Sequence, residues 1–301
     1  MGARVQQRTI AEKVSCHGRG LHGGVPVELT LKPARADTGI RFVRQDAGRR
    51  VEIPARPSAV SSTSHATFLA AGDVGVATVE HLLAALYALE IDNVVVELDG
   101  PEVPVMDGSA RPFLELIERA GVYAQSEPCS RLEVVRPVEV VAGERRISIE
   151  PADCFRISYA VDFAHPAIGR QVLEIPCFGP AVFEEEIASA RTFGFLAEVD
   201  ELWRAGLARG GSLENTVVLD DSQVVNPEGL RFPDEFVRHK ILDLIGDLAL
   251  LGVRIEGHVR VERGGHSLHH QLVCALREDP SSWRVGRLRR QTRVASTGSE
   301  D

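Results

Sequence analysis

Aromatic side chains make up only 5% of this sequence, so a core must be filled by Val, Leu, Ile and Ala. Cysteine is scarcer still. Cys16, Cys129, Cys154, Cys177 and Cys274 are odd in number, scattered, and include no Cys-x-x-Cys pair. That argues against a thiolate metal site or a disulfide frame and fits reduced thiols in a cytoplasmic protein. No apolar run reaches the ~20 clean residues of a membrane helix. Residues 241–253 come nearest, and they carry Asp243 and Asp247. The N-terminus lacks the apolar stretch of a secretory signal, and Gln6 stands where N-myristoylation needs Ser or Thr. Positive charge is not in excess either: 34 basic against 43 acidic residues leave a net charge of −9. A dedicated nucleic-acid binder is therefore not expected, whereas a local basic pocket for a phosphorylated small molecule remains open.

The rest is ordinary globular composition over 301 residues, enough for two domains at roughly 150 residues each. Alternation at 25–32 and 39–44 predicts strands. Residues 80–91 are apolar on nearly all sides, the mark of a buried helix. A strand at 93–98 follows, then a helix from about 109 to 118 with Ser109 as N-cap and Pro112 early. The polar stretch 124–130 reads as a turn-like boundary. Beyond it, strands are expected at 132–141, 145–150, 155–163 and 253–262. Helices are expected at 184–190, 198–205 and 235–251, with a last element near 268–276. From about Pro280 little is left to bury, which predicts a disordered tail over 281–301. The repeated element order predicts an α+β fold of two similarly built domains, 1–126 and 127–280.

Three polar groups interrupt the apolar pattern. Glu80 and His81 sit at the mouth of the first buried helix. They suit a general base beside a metal ligand, but equally a carboxylate favouring a helix N-terminus and a capping histidine. His239, Asp243 and Asp247 recur every four residues, which stacks them on one helix face. A His and an Asp one turn apart suit a divalent ion; a His–Asp ion pair is the plainer reading. Gly246 in the same helix costs about 1 kcal/mol against alanine, which suggests close approach by another backbone. Gly264-Gly265-His266 could aim an imidazole into a cleft or be a solvated loop. Taken together, two histidines and a carboxylate leave an open position on zinc, whose bound water is acidified. Glu80 then suits the base, His266 the acid toward a leaving amine, and Asp247 the partner that orients His266. That is metal-assisted amide hydrolysis.

The blocks TVEHLLAAL (78–86), IDNVVVEL (91–98), PEVPVMDGSA (101–110), ARTFGF (190–195), SLENTVVLDD (212–221), LRFPDEFVRHKILDLIGDLALLG (230–252) and GGH (264–266) carry a resemblance. So does QRTIAEKVSCHGRGLH (7–22). Over about residues 5–278 the sequence resembles the UDP-3-O-acyl-N-acetylglucosamine deacetylases, zinc amidases that commit Gram-negative bacteria to lipid A synthesis. The resemblance implies His81, His239 and Asp243 as ligands of one Zn²⁺, with Fe²⁺ suiting the same set. It places the base at Glu80, the protonating histidine at His266 and its partner at Asp247. Lys240 and Thr192 fall where the family binds the oxyanion and the polarised carbonyl. Phe193 falls at the acyl and sugar site, Phe163 against uracil, and His65 where a substrate contact near zinc varies between Cys and His. Arg145 and Arg263 stand where other members carry lysines near the diphosphate; Arg grips phosphate as a fork, not a point. The implied fold sandwiches the helices of both domains between their sheets. An insert at about 194–223 forms an acyl passage lined by Phe195, Leu196, Val199, Leu202, Trp203 and Leu207, unless these make the insert's own small core.

A cytoplasmic monomer removing acetyl from a UDP-linked, 3-O-acylated glucosamine is thus expected, without nucleic-acid partner or membrane insertion. A zinc amidase for another acylated sugar nucleotide is the alternative. A non-catalytic pathway protein is a third reading, and the presence of Glu80, His266 and Thr192 beside the ligands argues against it.

Overall fold

The structure, a computed structural model, describes residues 5–46 and 48–287. It is α+β, in two halves that each pair a sheet with two principal helices. The first half holds a five-stranded sheet in the spatial order Val14–Arg19, Pro26–Pro33, Val94–Leu98, Ile40–Asp46, Arg49–Pro54. Ile40–Asp46 runs parallel to Val94–Leu98. A parallel neighbour needs a crossover, and this one contains a small three-stranded sheet and the helix Glu80–Ala88. In the second half the long strand Arg254–Glu262 is the hub. It is parallel to Ser130–Val134 and Phe155–Phe163 and antiparallel to Arg145–Glu150. Burial alternates along these strands, so one face of each sheet is committed to the core.

The helices of the two halves meet. Glu80–Ala88 packs on Glu235–Ala249, and this explains their near all-round apolarity. All nine residues of the first are buried; in the second only Arg238 and Lys240 escape. At the crossing, Gly246 lies against the Glu80 backbone, the close approach its mid-helix position suggests. Among the described residues no helix is long and apolar enough to cross a membrane.

Three segments depart from the sequence expectation. The polar 124–130 stretch lies largely within a strand, Val122–Pro128, paired antiparallel with Gln6–Ile10. Its exposure explains its polarity, and the chain crosses to the second sheet at Cys129. The span 132–141 is two strands, Ser130–Val134 and Val138–Ala142, broken around Arg136-Pro137, where proline offers no backbone N–H. The segment from 281 does not begin as a disordered tail. Trp283–Arg287 is a strand antiparallel to Ser130–Val134, and the Trp283 indole donates to the Leu276 carbonyl at 2.7 Å. The ladder and that hydrogen bond supply the ordering that the composition alone does not suggest. The remainder of the expected tail, 288–301, lies outside the described residues. Smaller shifts follow local chemistry: the helix begins at Arg111, so its N-cap is Ala110 and not Ser109, whose hydroxyl accepts the Arg111 N–H from one position earlier.

Candidate metal and catalytic site

His81 occupies the second position of its buried helix, and His239 and Asp243 lie one turn apart on the other. The helix crossing brings the three together. Asp243 Oδ1 is 3.3 Å from His239 Nε2 and 3.6 Å from His81 Nε2. The two imidazoles are edge-on, 5.0 Å between centroids. His239 Nδ1 faces the Ala190 carbonyl at 3.0 Å. A carbonyl only accepts, so Nδ1 carries the proton and Nε2 presents its lone pair to the cluster. Asp243 Oδ2 accepts from Lys240 Nζ at 2.9 Å, but the buried Oδ1 has no hydrogen-bond partner. Burial pushes the Asp243 carboxyl up, yet His239, Lys240 and His266 outweigh it and hold it well below the usual range. A bare, ionised oxygen facing imidazole nitrogens is costly to bury alone. The donor set, one atom from each residue within 4.8 Å of the others, fits a divalent cation.

Beside this cluster stand Glu80 and His266. Glu80 Oε2 accepts the Thr67 N–H at 3.1 Å. His266 Nε2 lies 3.8 Å from Glu80 Oε1 and 3.9 Å from Asp243 Oδ2. Its other nitrogen donates to Asp247 Oδ2 at 2.8 Å, while the Thr67 hydroxyl donates to Asp247 Oδ1. Burial pulls the His266 imidazolium down, but Asp247, Asp243 and Glu80 overcome it and push it up to about 9. Burial likewise pushes Asp247 up, and His266 with His269 brings it down to about 2. Burial pushes the Glu80 carboxyl up, against the pull of His266 and His81. The site therefore combines a carboxyl that burial pushes up with a histidine that its carboxylate neighbours push up to about 9.

The remaining sequence-predicted residues lie at graded distance. Phe193 bridges inward: its ring is 6.3 Å from the His239 ring, with Lys240 Nζ 5.4 Å from its centroid. Thr192 precedes it, its backbone tied to Gly108 and Val217. Phe163 packs on Phe193 and Phe195 at 5.6 and 6.0 Å, beside a cavity of about 330 Å³ lined by Phe163, His165, Phe195 and Leu219. Arg263 is paired with Asp162 at 2.6 Å and with Glu144. Arg145 is exposed beside the Gly143-Glu144 hairpin turn and His65 is exposed with φ of +63°; neither is brought into the trio. None of Phe195, Leu196, Val199, Leu202, Trp203 and Leu207 is buried, whereas Val217 and Leu219 of the same insert are fully buried.

Some neighbours carry no role in the sequence reading. Thr67 has no motif to mark it. His269 lies in the flagged histidine cluster, its ring nitrogen on Asp247. His22 is buried with both ring nitrogens unpartnered. Burial pulls it below its ordinary value, with Glu102 opposing and His65, His266 and His81 adding to it. The only signal for it in the sequence is that Leu21-His22 ends the stretch QRTIAEKVSCHGRGLH (7–22).

Comparison with known proteins agrees with this geometry. The family model described as UDP-3-O-acyl N-acetylglycosamine deacetylase matches residues 7–278. A curated protein named UDP-3-O-acyl-N-acetylglucosamine deacetylase from Myxococcus xanthus is 52% identical over 95% of this chain and 90% of its own length. Proteins of the same name from Anaeromyxobacter dehalogenans and Phenylobacterium zucineum are 49% and 47% identical, covering 94% and 93% of this chain and 91% and 96% of their own. With most of its length matched and the paired carboxylate–histidine site in place, the chain belongs to the UDP-3-O-acyl-N-acetylglucosamine deacetylase family.

Proposed function

We propose that this protein hydrolyses the N-acetyl amide of UDP-3-O-acyl-N-acetylglucosamine, releasing acetate and the free amine, the committed step of lipid A synthesis. The carrying observation is the buried, unpartnered Asp243 Oδ1 facing His81 and His239, with Glu80 and His266 alongside. Those three residues would hold zinc, which supplies Lewis-acid polarisation and makes water more acidic. Glu80 takes a proton from the attacking water as its oxygen adds to the amide carbon. His266 Nε2, kept protonated by Asp247, gives its proton to the nitrogen as the C–N bond breaks. Lys240 and Thr192 stabilise the oxygen that gains charge. Phe193 and the exposed apolar side chains of the 194–223 insert receive the acyl chain. Phe163 offers a face to uracil, and Arg263, Arg145 and His65 contact the phosphates or sugar. The protein acts as a cytoplasmic monomer of two domains, 1–126 and 127–280.

The test is acetate release from the purified protein with 3-O-acylated UDP-N-acetylglucosamine, before and after chelation. Activity that survives complete metal removal would overturn the metal reading. No acetate from metal-replete protein would overturn the deacetylase reading.

A further inference from the structure

We propose that Tyr159 and His269 form a buried positioning pair that acts through Asp247 to hold the His266 imidazole in one tautomer and one orientation. The proposal rests on the role given to His266 above. His269 lies one helical turn beyond His266, and Tyr159 comes from the strand Phe155–Phe163 on the other side. Both Tyr159 and His269 are fully buried. His266 Nδ1 and His269 Nδ1 each lie 2.8 Å from the same atom, Asp247 Oδ2. An ionised carboxylate only accepts, so both nitrogens carry protons. The fully buried Tyr159 hydroxyl has no other hydrogen-bond partner among the described residues, and burial lowers His269 below its ordinary value, so Nε2 takes the accepting role. The Tyr159 hydroxyl, 3.0 Å away, is the donor that Nε2 requires.

The chain of donors therefore has one direction: Tyr159 to His269, His269 to Asp247, with His266 and Thr67 donating to the same carboxylate. Asp247 cannot rotate toward any one of them without stranding another buried donor, which is costly. With its Nδ1 committed, His266 points Nε2 at Glu80. A second observation links the pair to His266. Gly264 runs directly over Tyr159: a Cβ there would fall 3.0 Å from Tyr159 Cζ and closer still to its hydroxyl. The tyrosine thus also sets the height of the Gly264-Gly265 turn that opens the His266 helix.

The experiment compares full-length, metal-loaded wild type with Tyr159→Phe, His269→Asn and His269→Leu. Tyr159→Phe keeps the ring and removes only the donor; kcat is expected to fall about tenfold with KM unchanged, the scale of one hydrogen bond. His269→Leu is expected to lose up to ~10²-fold, as for other partners of site histidines. His269→Asn, whose amide N–H can reach for Asp247, is expected to recover part of that. A role in core filling alone would rank Asn below Leu, so this order separates the two. Nitrogen-15 NMR of the histidines, with and without metal, provides a readout independent of activity. Wild-type His269 should show the Nδ1–H tautomer, and Tyr159→Phe a mixture. A His269 ring carrying its proton on Nε2, or unchanged kcat in folded Tyr159→Phe and His269→Leu, would overturn the proposal. Wild type with the expected tautomer but no acetate release would instead count against the deacetylase reading and leave the pair standing.

Discussion

Gly246→Ala tests how closely the two site-bearing helices must cross. In an isolated helix the change is favourable by about 1 kcal/mol. In this fold the new Cβ would fall 2.7 Å from the Glu80 carbonyl carbon and 2.8 Å from its Cα. Carbon atoms rest at about 3.5 Å or more, and the Glu80 carbonyl oxygen lies closer still to the new Cβ, so the backbones must separate by about 1 Å or more. Overpacking of this kind costs about 1–3 kcal/mol. After the gain in helix propensity, the net loss is about 0–2 kcal/mol, and the protein should remain folded. Activity should suffer more. Glu80 is the residue displaced, and His81 follows it in the same turn. A misplacement near 1 Å can cost ~10²-fold, equivalent to about 2.7 kcal/mol of transition-state stabilisation. Urea unfolding and acetate release on the same preparation separate the two effects. Wild-type kcat/KM with an unshifted urea midpoint would show that the crossing tolerates a methyl group and would refute the reasoning.

Further outcomes bear on the metal, the acid–base pair and the acyl chain. His239→Ala should lose stoichiometric metal by elemental analysis, whereas excess zinc should inhibit wild type, because Glu80, Asp243 and His266 can also group around an ion. Glu80→Gln and His266→Ala should keep their metal and each lose ~10²-fold or more in kcat; the pH profile of kcat/KM should rise as Glu80 loses its proton and fall as His266, pushed up to about 9, loses its own. UDP-N-acetylglucosamine without an acyl chain should be turned over orders of magnitude less efficiently, at about 0.8 kcal/mol per buried methylene, and equal turnover would remove the passage from the account.

Much of this site was legible because its residues break local rules. A glutamate and a histidine at the mouth of an apolar helix, a four-residue stripe of His and Asp on another, and a glycine in mid-helix each depart from the pattern around them. The structure places all of these at one crossing. Periodicity read the buried helices and the long strands well, since burial imposes the pattern. It read 122–128 poorly because that strand is exposed and has little reason to alternate. Trp283–Arg287 escaped because its ordering comes from a partner strand over a hundred residues earlier. Thr67 was invisible for a similar reason: a lone threonine next to Glu80 and Asp247 has no sequence neighbour that marks it.

The site's precision also depends on contacts that never touch a reacting atom. Ala190 supplies the carbonyl that fixes the His239 tautomer, and the next residue anchors it. Arg191 donates its backbone N–H and its Nε–H to Glu235 Oε1, both at 2.9 Å. Glu235 opens the helix that carries His239 one turn later. Its other oxygen accepts the Arg231 N–H at 2.6 Å, so the carboxylate ties two loops to that helix start. Arg191 and Glu235 are both almost wholly buried, and such a pair gives little net stability once desolvation is counted. Its value here is geometric. It sets the loop carbonyl and the helix carrying His239 in one frame, as Asp247 does for His266. Both of these frames lie in the second half of the chain, the Thr67 N–H holds Glu80 in the first, and the close contact at Gly246 brings the two into register.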